Sequence, residues 1–223
     1  MTELHRPRIA ILASSSGSTA EAFIHATQDG RSDTEVGLVI SNNTPKVAKI
    51  HERVARLNDQ YGLDIEMVKI NGVTHPDPGG NPERGQSFAE SAAIAERIRQ
   101  GRFDLVMLLG YMKMVRGDLL AETMINSHPG PLPETADTFG LDTSIKALRL
   151  WREGKITATR HTVHIVSAEI DQGHIIAQHP VEILDDDIAQ DVFNRVQAVE
   201  KATLPYVVEK FLGEQEASGH ANS

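Results

Sequence analysis

Ile9-Ala10-Ile11-Leu12-Ala13, followed by Ser14-Ser15-Ser16-Gly17-Ser18-Thr19, is the stretch from which the fold is read. An uninterrupted apolar run of this length predicts a strand buried on both faces, and the serine-rich turn after it leads directly into a helical pattern over 19–29. The alternation then repeats. Apolar runs at 36–41, 65–70 and 104–109 are separated by helical patterns over 45–60, opened by Pro45, and over 87–100. Strands of this kind separated by helices predict a parallel sheet covered on both sides.

The second half changes character. Ile145, Leu148, Leu150 and Trp151 give 143–154 a helical spacing, and 157–166 alternates as a strand. The turn Glu169-Ile170-Asp171-Gln172-Gly173 joins it to a further strand over 174–183, so an antiparallel hairpin is expected at the sheet edge. A long helix over 187–212, kinked at Pro205, closes the fold, and the small polar residues of 213–223 read as a frayed tail. The expected class is α/β: an open, Rossmann-like, mostly parallel twisted sheet with helices on both faces and an antiparallel hairpin in the C-terminal part. No repeat or linker divides the chain, so one domain is expected over 1–223, with a core of about 8–212.

Composition narrows the chemistry. The chain lacks cysteine, which removes disulfides, thiolate nucleophiles and sulfur-ligated metals. Net charge is −9 with no block of lysines or arginines, which argues against nucleic acid as a partner. The apolar start at Ile9 is too short to span a membrane, and a cytoplasmic enzyme is expected. His161 and His164 lie three apart in a strand pattern, hence on opposite faces, and His174 and His179 have the same odd spacing; neither pair fits a shared metal.

Three stretches can carry chemistry. After the strand of 104–109 comes Asn126-Ser127-His128-Pro129-Gly130-Pro131-Leu132-Pro133. In extended backbone, residues i and i+2 point the same way, so Asn126 and His128 aim two donors at one place on a loop stiffened by three prolines. Convergent donors of this kind suit a developing oxyanion; a capped turn with a structural histidine is the plainer reading. The loop 14–19 offers backbone N–H groups at a helix start for an anion, or is simply a cap. Asp171 is an ordinary turn aspartate unless its turn folds over His128, in which case its charge raises the histidine pKa and keeps the imidazole protonated.

Together these stretches resemble the folate-dependent formyltransferases, over nearly the whole chain from about Arg8 to Leu212. That family carries Asn-x-His-Pro-x-x-Leu-Pro, met in full by Asn126 to Pro133. Its aspartate lies in an Asp-x-Gly turn after a His-x-Val segment, as Asp171-Gln172-Gly173 follows His164-Ile165-Val166. The resemblance implies Asn126, His128 and Asp171 as the catalytic trio, supported by His164 and Gly173. It implies Gly17, Ser18 and Thr19 (the last replacing the usual Asn), with Gln197 and Glu200, as the ribonucleotide site. Met112, Lys113, Met114 and Val115, with Ser167, Ala168, Glu169 and Ile170, would form the folate site, although core packing explains Met112 and Met114 equally well.

The implied reaction uses two small molecules and no metal. The amine of glycinamide ribonucleotide, an intermediate of purine synthesis, attacks the formyl carbon of 10-formyltetrahydrofolate. Asn126 and a protonated His128 stabilise the oxyanion, and Asp171 helps move the proton. An amino-sugar nucleotide as acceptor, hydrolysis of the formyl-folate, and a non-catalytic ligand-binding module are the alternatives. Two departures from the family bear on the acceptor: the long 71–86 loop, and the 134–144 segment with Asp142 and Ser144 where histidines are usual.

Overall fold

In the computed structural model, which describes residues 6–14, 16–80 and 85–220, one seven-stranded sheet runs in the order β3-β2-β1-β4-β5-β6-β7. Ser15 of the serine-rich turn, 81–84 of the long loop and 221–223 of the expected tail lie outside the described residues. Strands β1 (Arg8–Ala13), β2 (Glu35–Ser41), β3 (Glu66–Lys69), β4 (Leu105–Leu108) and β5 (Met124–His128) are parallel. β6 (Thr159–Ile165) returns antiparallel to β5, and β7 (Ile175–Val181) forms the expected edge hairpin with it.

Both faces of the sheet are covered, as the near-continuous apolar strands require. On β1, Ile9, Ile11 and Ala13 join a core with α1 (Ser18–Gln28), α2 (Ile50–Tyr61) and α5 (Ala189–His220), which contribute residues such as Phe23, Leu57 and Phe211. Ala10 and Leu12 point the other way, into a core with Ile94 and Ile98 of α3 (Phe88–Gly101). A third cluster joins Leu148 of α4 (Leu141–Arg152) to Val181, Val192 and Val196. Among the described residues, no helix is long and apolar enough to cross a membrane.

Three local expectations need correction. Pro45 does not open α2: residues 45–47 form a turn in which the Val47 and Ala48 N–H groups both donate to the Thr44 carbonyl at 2.9 Å, and the helix starts at Ile50. The closing helix does not fray at Gly213 but continues to His220, carried by the helix formers Glu214, Gln215, Glu216 and Ala217 and by a 3.8 Å Lys210–Glu214 pair one turn apart; Pro205 is accommodated inside it. Asn126 and His128 lie on a strand and not on a loop. β5 was not legible in the sequence, because polar residues stand where a strand normally shows apolar ones.

Sheet register sets where a ligand can enter. Leu12 pairs with Leu108, and Leu108 with Asn126, so the ends of β1, β4 and β5 come level where the strand order reverses direction from β1 to β4. Crevices at such reversals are where open α/β sheets take ligands. β5 continues beyond this level through Ser127 and His128, paired with Val163 and Thr162 of β6, and makes one wall of the crevice.

Candidate active site

Asn126 and His164 are directly opposed across β5 and β6. The His164 Nδ1–H donates to the Ile165 carbonyl at 2.9 Å, which leaves Nε2 to accept from Asn126 Nδ2 at 3.1 Å. Asp171 closes over this pair. Its Oδ1 lies 3.5 Å from Asn126 Nδ2 and 3.5 Å from His164 Nε2, while Oδ2 lies 3.6 Å from His128 Nδ1 and accepts from the Asp137 N–H at 3.3 Å. The three expected catalytic side chains and the supporting His164 therefore meet within one shell.

The turn that delivers Asp171 is shaped by two backbone facts. Asp171 itself has φ 54, a left-handed conformation that aspartate tolerates better than most residues. Gly173 is pressed against the Ile165 carbonyl so closely that a Cβ there would collide with the oxygen. The Ile165 N–H donates to the His174 carbonyl at 2.9 Å, which ties the turn to the end of β6.

Protonation of His128 differs from the expectation. Thr135 Oγ1 donates its proton to the Pro131 carbonyl at 2.7 Å, so at its 2.9 Å contact with His128 Nε2 it accepts. The imidazole therefore carries a proton on Nε2, and Nδ1 stands 3.6 Å from Asp171, too long for a hydrogen bond. Burial pushes the His128 pKa down to about 4, against the pull of Asp171 and with the charges of His164 and Lys146 adding to the fall. The carboxylate does not win, because the ring is almost wholly removed from water. For Asp171, burial pushes upward, but the polar contacts with His164, the neighbouring His128 and the Asp137 N–H together hold it below the ordinary carboxylate range. At rest the site holds a carboxylate beside a neutral imidazole.

Two clefts adjoin at this shell. One, of about 490 Å³, is lined by Lys113, Met114, Val115, His164 and the run Ser167, Ala168, Glu169, Ile170. The other, of about 790 Å³, is lined by Gly17, Ser18, Thr19, His128, Gln197 and Glu200. Asn126, Asp171, Tyr111 and Phe139 belong to both. Two residues sit otherwise than expected. Met112 lines the second cleft, half-exposed, and not the first. The Lys113 ammonium, at the first cleft, is engaged by a buried carboxylate, Glu90 Oε2, at 2.6 Å.

The loop 16–19 opens into the second cleft because Gly17 takes φ 69 as the N-cap of α1, packed against Ile50 where no Cβ fits. Of the two departures, Asp142 is exposed on the outer rim, in a groove with Met112, Met114, Asp137 and Phe139, whereas Ser144 is buried and its Oγ has no partner among the described residues.

Several contributors escape sequence reading. Thr135 sets the His128 tautomer, yet a threonine in a turn carries no signal. Glu90 follows Ser87 at capping-box spacing, and Ser87 Oγ does accept from the Glu90 N–H at 2.9 Å; the glutamate itself turns inward to Lys113 and to Tyr111, whose hydroxyl donates at 3.2 Å. A lysine in an apolar segment was the one available hint of a buried partner.

Compared with known proteins, residues 7–208 match the formyl transferase family. The phosphoribosylglycinamide formyltransferase of Bacillus subtilis is 27% identical over 210 residues, which cover 92% of this chain and 95% of that protein. The human trifunctional purine biosynthetic protein adenosine-3 is 27% identical over 206 residues, and there the chain spans 18% of the relative's length. Among solved structures, glycinamide ribonucleotide transformylase 1 from Symbiobacterium toebii is similar with a TM-score of 0.78 at 30% identity, covering 95% of this chain and 90% of that one.

Proposed function

The chain belongs to the formyl transferase family, and from that premise we propose that it moves a formyl group from 10-formyltetrahydrofolate to the amino group of glycinamide ribonucleotide, as a cytoplasmic enzyme of purine synthesis. One observation carries the reading: two clefts of different character share Asn126 and Asp171 at their junction. A transfer between two substrates needs a binding space on each side of one reacting carbon, whereas hydrolysis or simple binding needs one. The cleft bordered by 167–170 suits the folate. The cleft bordered by the 16–19 loop, with a helix N-terminus to face a phosphate, suits the ribonucleotide.

The chemistry follows from the resting protonation states. The acceptor amine attacks the formyl carbon, and the carbonyl oxygen, becoming an oxyanion, takes the Asn126 Nδ2 donor. Nδ1 of neutral His128 accepts the proton that the attacking nitrogen must lose. The imidazolium so formed faces the Asp171 carboxylate, 3.6 Å away, and donates toward the oxyanion. When the C–N10 bond breaks, the leaving nitrogen takes the proton that His128 received from the attacking amine, and His128 is neutral again. Gln197 and Glu200 hold the ribose side; Met114, Val115 and 167–170 hold the pteridine; no metal is needed.

The test is release of tetrahydrofolate from 10-formyltetrahydrofolate with and without glycinamide ribonucleotide, repeated with amino-sugar nucleotides. Release that requires glycinamide ribonucleotide is expected. Release without any acceptor would instead indicate a hydrolase, preference for a sugar nucleotide would reassign the acceptor, and no release would leave a binding module.

A further inference from the structure

Ser127 points away from Asn126 and His128, into a buried chain of polar groups that ends on Glu200 and Thr19 of the second cleft. Thr203 Oγ1 on α5 contacts His161 Nδ1 at 3.1 Å, His161 Nε2 contacts Ser127 Oγ at 3.0 Å, and Ser127 Oγ contacts Glu200 Oε1 at 2.5 Å. Thr19 Oγ1 completes the chain by donating to Glu200 Oε2 at 3.1 Å. His161 and Glu200 are both buried, so each hydrogen has to be found among these partners.

Counting donors decides where they go. The Thr203 hydroxyl donates to the Val199 carbonyl at 2.8 Å, the shorter of its two contacts, and so accepts from His161 Nδ1–H. A neutral His161 then has a bare Nε2, which takes the one hydrogen of Ser127. That leaves Ser127 Oγ only as an acceptor toward Glu200 Oε1. Two unprotonated oxygens at 2.5 Å with no hydrogen between them would repel, so the carboxyl must supply it.

We propose that Ser127, His161 and Thr203 are positioning residues that hold Glu200 as an uncharged carboxylic acid, its proton donated from Oε1 to Ser127, so that the second cleft receives an anionic acceptor without a second buried negative charge added to that of Asp171. The inference rests on reading that cleft as the ribonucleotide site. With Oε1 committed to Ser127, Oε2 is the carbonyl-type oxygen that accepts from Thr19 and from a ligand hydroxyl. Burial pushes the Glu200 carboxyl up, with the contacts to Ser127 and Thr19 and the charge of Lys201 beside it on α5 acting the other way. Burial pushes His161 down to about 3, helped by His179 and His128. His179 of β7 stacks on His161, with ring centroids 5.8 Å apart and planes within 14°, and its own pKa is lowered by burial. Of the charged groups packed around the carboxyl among the described residues, Lys201 favours the ionised form, while the two stacked imidazoles, whose pKa values burial lowers, provide no counter-ion.

The experiment has a spectroscopic arm and a kinetic one, both on the full chain at pH 7. The infrared difference spectrum of wild type minus Glu200→Gln is expected to show a protonated-carboxyl C=O band, and ¹⁵N NMR to show His161 neutral with its proton on Nδ1. A carboxylate pair in the difference spectrum, or a proton on His161 Nε2, overturns the proposal. Kinetically, Ser127→Ala is expected to raise the acceptor KM by about tenfold, the worth of one hydrogen bond, with kcat and the donor KM within about twofold, and Ser127→Thr to restore it. An unchanged acceptor KM in Ser127→Ala overturns the positioning role. Absence of transfer to glycinamide ribonucleotide by the wild type would instead remove the acceptor assignment, and the infrared and NMR results, which need no substrate, would still decide the state of Glu200.

Discussion

Substituting Gly173 by alanine is the most direct probe of how the carboxylate reaches the site. The added methyl would meet the Ile165 carbonyl oxygen, a backbone atom already fixed in the last paired turn of β6, so no side-chain rotation relieves the clash. The 171–173 turn has to back away. Forced overpacking of this sort costs about 1–3 kcal/mol; at roughly 2–4 °C per kcal/mol for a chain of this size the melting temperature should fall by several degrees. The catalytic effect should be larger than the loss of stability suggests. The Asp171 contacts with Asn126, His164 and His128 stand at 3.5–3.6 Å, so a displacement of an ångström breaks all of them. Misplacement on that scale costs about 10²-fold in turnover. Thermal melting together with acceptor-dependent tetrahydrofolate release measures both effects, and Gly213→Ala serves as the control. Gly213 lies inside α5, and a Cβ added there would have nothing within 4 Å, so alanine should stabilise by up to about 1 kcal/mol, the helix-propensity difference. Wild-type melting and wild-type turnover in Gly173→Ala would refute the reasoning.

Other outcomes are expected on the same physical grounds. Asn126→Ala should lower kcat by about 10²–10³ through loss of the oxyanion donor, with unchanged circular dichroism. Asp171→Asn should keep the fold and lose most activity, because the imidazolium formed during transfer then lacks its counter-charge; wild-type rates would remove Asp171 from the mechanism. Because the folded His128 pKa (about 4) lies below its unfolded value of about 6.5, the unfolded chain binds the extra proton first. The stability this histidine contributes is complete above about pH 6.5 and is lost as pH falls toward 4, so the urea midpoint should drop between pH 7 and 5, and less so in His128→Asn. Lys113→Met leaves the wholly buried Glu90 carboxylate without its cation and should cost about 3–5 kcal/mol, much of it recovered in the double variant with Glu90→Gln, as read by denaturant midpoints.

The sheet was legible because its signals are local. Strands such as 36–41 are apolar on both faces, and the helices between them carry the periodicity of a single buried stripe, so each element announces itself within a dozen residues. β5 was not, since Asn126, Ser127 and His128 put function where a strand normally shows apolar side chains; what makes them extended is pairing with 162–164, some 36 residues on in sequence. The same contrast divides the site. Asn126, His128 and Asp171 could be named from their motifs, and the structure brings them together. The charge on His128 could not be inferred, because a sequence shows that an aspartate is available but not how little water remains around the ring. Thr135 and Glu90 act through contacts that depend on the finished fold, and neither has a recognisable spacing to its partner.

Asn126 and His164 face each other as a registered cross-strand pair, and this has a bearing on how the molecule can be altered. Sliding β6 by a single residue against β5 would turn His164 to the opposite surface, so the bond-making apparatus tolerates no change of strand length. The rim that meets the acceptor is built differently, from Thr138, Phe139 and Gly140 just ahead of α4, beyond Thr135 and Asp137, whose contacts hold His128 and Asp171 in place. Loop grafts at that rim are therefore the route to new amine acceptors, leaving the reacting centre as it is.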